Sequence, residues 1–94
     1  MELIKRNEVF GISGTTEHYI VEGNVNRDLD GSINVNFRIN NLDETSIGNG
    51  YYNTYIENRH SDFGVSGSDE NLGKLIVYAK EVADFVNDNL DSIN

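Results

Sequence analysis

Four carboxylates, Glu81, Asp84, Asp88 and Asp91, recur at spacings i, i+3, i+7 and i+10. On an α-helix they share an arc of about 80° and run ~15 Å along the axis. Such a ladder can occupy a Lys/Arg-rich surface in place of phosphates. Local stability argues against it, because the acids fall in the C-terminal half of the segment, where the helix dipole prefers cations, and only Lys80 is close enough to offset them. A locally unfavourable choice repeated along one face is the signature expected of a functional surface. The plainer account is that an acidic chain places its acids on the solvated side of a helix. Val77, Tyr78 and Phe85 fall off the apolar stripe of the same segment and are available either to an interface or to a sheet edge.

Other constellations carry less. Asn26-Arg27-Asp28-Leu29-Asp30-Gly31 opens like a calcium loop, but Phe37 stands where the twelfth-position Glu belongs and the flanks read as strands. A hairpin turn with Asp and Asn side chains bonded to their own backbone fits better. The stretches Gly11 to Thr16 and Gly64 to Ser68 resemble phosphate cradles only loosely. Neither has the P-loop spacing or its Lys, and Asp69 and Glu70 repel an anion at the following helix start. His18 and His60 have acidic neighbours in Glu17, Glu57 and Asp62, yet each segment supplies a single His, short of the paired ligands a metal site needs. No Ser/His/Asp set is committed to a triad, so neither catalysis nor a cofactor is expected. Among the tyrosines, Tyr51 and Tyr55 fall on one strand face and Tyr52 on the other with Thr54 and Ile56. At least one of them, with Tyr52 the candidate, is available as an interface anchor.

The elements that must position these residues are legible in the periodicity. Ile33, Val35, Phe37 and Ile39 alternate with Asn34, Asn36 and Arg38, the pattern of a half-wet antiparallel strand. Strands are expected over about 3–12, 17–26, 32–40 and 51–57, with a weaker edge strand over 59–66 around Phe63 and Val65. The paired glycines (11 and 14, 48 and 50, 64 and 67) read as turns between them. From Asp69 the period changes to 3.6, and Leu72, Leu75, Ile76, Ala79, Val82, Ala83, Val86 and Leu90 form one stripe. The segment 69–91 is therefore a helix, with Ser66 or Ser68 as N-cap and Asp69 and Glu70 in its first turn. The expected fold is α+β: about four hairpin-connected antiparallel strands with one C-terminal helix packed on one face, a single domain over residues 1–94.

Composition bounds the function. Ninety-four residues with 7 Lys+Arg against 16 Asp+Glu carry a formal charge of −9, which repels nucleic acid and anionic membranes but suits a basic protein partner. The absence of Cys removes disulfides, thiolate metal sites and Cys nucleophiles. No leader pattern or long apolar run is evident, so a cytoplasmic protein is expected. Fourteen Asn with no Pro or Trp is the bias of an AT-rich genome, as in a low-GC bacterium or its phage. In composition, though through no motif, the chain is similar to phage-encoded inhibitors of host defence, anti-CRISPR proteins among them. The acidic helix face and its adjoining aromatics point to a non-enzymatic inhibitor that blocks a basic surface, such as that of a nucleic-acid-binding protein, through Glu81, Asp84, Asp88, Asp91, Tyr52, Tyr78 and Phe85. The alternatives are a homo-oligomeric assembly module built on a strand edge, and a nucleotide-sequestering protein drawing on Arg27, Arg38 or Arg59.

Overall fold

A computed structural model describes residues 1–6 and 9–89, with the backbone alone given at residues 3–6. Among these residues six strands, β1 (Glu2–Arg6), β2 (Val9–Thr15), β3 (Ile20–Arg27), β4 (Ile33–Asn40), β5 (Ser46–Tyr55) and β6 (His60–Gly67), precede one helix, α1 (Leu72–Asn89). The strands form one antiparallel sheet in sequential order, β1 to β6. This is the expected α+β arrangement, with more strands.

The apolar face of the sheet follows from side-chain alternation. Val35 of β4 pairs with Val25 of β3 and Ile39 with Val21, and all four are fully buried. From α1, Leu75, Ala79, Val82, Ala83 and Val86 complete the core. Each large aliphatic side chain buried there is worth ~1.5–3 kcal/mol. The helix lies across β4, β5 and β6. Ile76, expected on the buried stripe, is instead 48 % exposed. It sits at the margin of the stripe, about 100° from Leu75.

Three boundaries differ from the expected ones. The segment 3–12 is two strands, with Arg6 opposite Val9; no Gly or Pro lies between them to mark the break. Strand β5 begins at Ser46, so Gly48 and Gly50 are strand residues rather than turns. Gly48 pairs with Gly67 of β6, and a Cβ on either would come within 2.7–2.9 Å of Leu75 Cδ2. These two glycines let the helix approach the sheet. Gly50 and Gly23 likewise flank the Phe37 side chain, so these glycines answer to packing rather than to chain reversal. A bulge between Ile39 and Asn40 turns Ile47 inward beside Gly48, and both are buried. The helix itself starts later than expected. Leu75 N–H donates to the Asn71 carbonyl at 2.9 Å, and Asn71 N–H donates to the Ser68 carbonyl at 2.9 Å. Asn71 is thus the capping position, and Asp69 and Glu70 lie in a turn ahead of the helix.

The turns are built from local acceptors. Ser32 N–H donates to Asp30 Oδ1 at 2.8 Å and Gly31 takes φ 91°, closing the β3–β4 hairpin where the calcium-like sequence lies. Between β4 and β5, Thr45 donates its N–H and its hydroxyl to Asp43 Oδ1 at 3.0 and 2.6 Å. Buried Ser32 accepts the Ile56 N–H at 3.1 Å, tying the β3–β4 turn to the turn after β5.

Candidate functional site

Helix α1 faces the sheet with its apolar stripe, and its outer side carries Glu81, Asp84 and Asp88, all exposed. Val77, seven residues before Asp84, shares that side and is 55 % exposed. Asp91 lies outside the described residues. Exposed Lys74 and Lys80 stand three residues either side of Val77, so the helix presents to solvent an apolar spot bordered by both acids and lysines.

The acids are not equivalent. Glu81 Oε2 accepts a hydrogen bond from the Tyr19 hydroxyl at 3.1 Å, while Tyr19 is fully buried and stacks on Tyr78 with centroids 4.3 Å apart. Burial, then the Glu81 hydrogen bond and charge, push the Tyr19 phenol well above its ordinary pKa. Asp84 accepts from Lys80 Nζ at 2.9 Å, and the Asp84 contact raises the Lys80 pKa. Both members of this i, i+4 pair are largely solvated, so it contributes little to stability. No basic residue stands in the last turn of α1, where Asp88 lies toward the negative end of the helix dipole.

The aromatic candidates are turned toward the protein. Tyr52, Tyr78 and Phe85 are half-buried against the core. The Tyr52 oxygen accepts from Asn87 Nδ2 at 3.0 Å, latching β5 to α1. Burial alone would raise the Tyr52 pKa, but hydrogen bonds with Thr54, Asn87 and Ser61 and the charge of Lys80 outweigh it and lower the pKa below the usual phenol value. Structure thus joins Glu81, Tyr78 and Tyr19 on one flank of the helix and Tyr52 with Asn87 on the other. Asp84, Asp88 and Val77 remain on the outer side, with exposed Lys74 and Lys80 beside them.

The remaining constellations separate. His60 Nε2 lies 2.8 Å from Asp62 Oδ1, and among the described residues no third ligating side chain joins them. The cradle-like stretches 11–15 and 64–67 are strand segments whose backbone groups serve the sheet. Arg27 lies 5.2 Å from the Phe10 ring centroid on the helix side, whereas Arg38 pairs with Glu22 at 2.9 Å on the opposite side of the sheet. They do not converge on one ligand. Among the described residues no helix is long and apolar enough to cross a membrane.

The sequence reading missed the sheet face turned away from the helix. Pairing aligns Asn24 with Asn36 and Tyr51, and Glu22 with Arg38 and Asn49. The alternation in β4 put Asn34, Asn36 and Arg38 there; assembling their neighbours required the register. Comparison with protein-family models, with curated proteins and with solved structures finds no match.

Proposed function

We propose that this chain is a non-enzymatic inhibitor that docks the outer side of α1 on a basic surface of another protein, as an immunity protein or a phage anti-defence protein does. The observation that supports it is the surface of Asp84, Asp88 and Glu81 beside exposed Val77, where the acids outnumber the neighbouring Lys74 and Lys80. It lies on the element where the macrodipole least favours acids, in a chain of charge −9. Electrostatic steering brings the partner in, and desolvation of the apolar spot holds it. The partner is Lys/Arg-rich, for example a nucleic-acid-binding protein whose groove the acids occupy.

The test compares wild type with Asp84→Asn/Asp88→Asn in capture from a low-GC bacterial lysate, followed by titration of the purified captured protein. Expected are a basic protein retained by wild type alone, and an affinity that falls at least about tenfold between ~0.05 and ~0.5 M salt. Equal retention by both forms overturns the proposal. Glu81 stays unaltered in this variant because it also serves Tyr19.

A second reading, a homo-oligomeric module, draws on β6. This eight-residue strand is a sheet edge without Pro or Lys to blunt it, and Phe63 on it is 40 % exposed. A mass that grows with concentration and is indifferent to salt distinguishes this reading in light scattering.

A further inference from the structure

On the sheet face opposite α1, side chains of the four central strands border a trough of about 650 Å³. Ser13 of β2, Glu22 and Asn24 of β3, Asn36 and Arg38 of β4, and Asn49 of β5 line it. A smaller depression of about 180 Å³ shares Asn36 and Asn49 and continues past Tyr51 to Ser66 of β6. Neighbouring strands lie ~4.8 Å apart, so the run from β2 to β5 is ~14 Å long. We infer that this trough is a binding site for a neutral, unbranched oligosaccharide.

Charge is the first reason. Among the described residues Arg38 is the only cation lining the trough, and Glu22 Oε2 accepts from its Nη2 at 2.9 Å. The remaining polar side chains are amides and a hydroxyl. In a chain of charge −9 this patch is electrically balanced, which disfavours phosphates and sulfates and gives a basic ligand no anchor. A peptide cannot enter as an added strand, because β2, β3, β4 and β5 are each paired on both sides.

Donor and acceptor chemistry is the second. A side-chain amide offers two N–H donors and a carbonyl acceptor fixed in one plane, the complement of a sugar hydroxyl that both gives and takes hydrogen bonds. No hydrogen bond joins the side chains of Asn24 or Asn49 to another described residue. Asn36 donates from Nδ2 to Asn34 Oδ1 at 2.7 Å, which orients its amide and leaves its own Oδ1 for a ligand.

The third is an aromatic platform. Tyr51 adjoins Asn36 in the same lateral row, and its ring occupies the space above Gly64, where an added Cβ would meet Cζ at 2.6 Å. The ring is held against the sheet yet stays 43 % exposed, so it offers an apolar surface for the C–H face of a sugar ring beside the amides. Open faces of small β-sheets are used for oligosaccharides in other folds.

The experiment is an NMR titration of the ¹⁵N-labelled full chain with cellohexaose, maltohexaose, xylohexaose and N-acetylchitohexaose, and with a heparin hexasaccharide as the anionic counterpart. Expected is saturable movement of the Asn24, Asn36 and Asn49 side-chain amides with at least one neutral sugar and none with heparin. The exposed substitutions Asn24→Ala/Asn49→Ala, checked by an otherwise unchanged spectrum, weaken that binding about tenfold or more. The inference is overturned if no neutral sugar moves these amides at ~10 mM, well above millimolar dissociation constants, if heparin takes the site, or if the folded double variant loses less than that. The outer helix variant Asp84→Asn/Asp88→Asn binds sugar as wild type does, which separates this site from the proposed protein-docking surface.

Discussion

Tyr19 and Glu81, sixty-two positions apart, share a 3.1 Å hydrogen bond between phenol and carboxylate. One end is fully buried and the other exposed. The contact fixes the rotation of α1 over the sheet and makes one member of the acidic face structural.

Tyr19→Phe keeps the ring stacked on Tyr78 and loses the hydroxyl, costing about 0.5–1.5 kcal/mol in urea unfolding. Tyr19→Ala empties the site and costs ~3–5 kcal/mol. Glu81→Gln retains an acceptor and falls below both, whereas Glu81→Leu strands the phenol and costs ~1–3 kcal/mol.

The same pair sets the alkaline limit. The folded-state pKa of Tyr19 is raised, so its contribution is fully present below the unfolded phenol value of about 10 and is lost as pH climbs toward the folded one. Tyr19→Phe flattens the fall in melting temperature above pH ~10; an identical alkaline profile in wild type and variant refutes this.

At acid pH the turns yield. The Ser32 backbone and side chain hold the Asp30 carboxyl below its usual pKa, and the Thr45 hydroxyl and backbone do the same for Asp43. Both folded values are depressed, so their stabilisation is present above the unfolded carboxylate pKa and fades as pH drops through the folded one. The double variant Asp30→Ala/Asp43→Ala melts lower than wild type at pH 7, and the gap narrows below pH ~3.

Gly48 and Gly67 admit Leu75 to the sheet. Gly67→Ala, whose Cβ would stand 2.9 Å from both the Ile47 carbonyl and Leu75 Cδ2, destabilises by ~1–3 kcal/mol. Gly73→Ala, with no atom within 4 Å of the added Cβ, stabilises by up to ~1 kcal/mol through helix propensity. Chemical unfolding of the two variants should give opposite signs.

Asp88 opposes the dipole at the end of α1. Asp88→Asn raises the melting temperature by roughly 1–3 °C at low salt, a gain that vanishes at high salt.

Elements with a strong local period were legible in the sequence. Ile33 to Ile39 alternate without exception, and Leu75, Ala79, Val82 and Val86 keep the helical spacing; both are buried where expected. Gly48 and Gly50 misled, because a glycine required by a neighbouring side chain carries the same letter as one required by a turn. The outer acids were readable from spacing. The Glu81 contact to Tyr19 and the amide rows of the open face were not, since each depends on which strands lie side by side and in what register.

Strand order has a consequence for synthesis. Each β-strand finds its partner in the segment just translated, so the meander can assemble hairpin by hairpin as the chain leaves the ribosome. The cover for Val21, Val35 and Ile39 arrives last, with residues 75–86. Until then the nascent sheet exposes a water-averse surface, a ready target for chaperones.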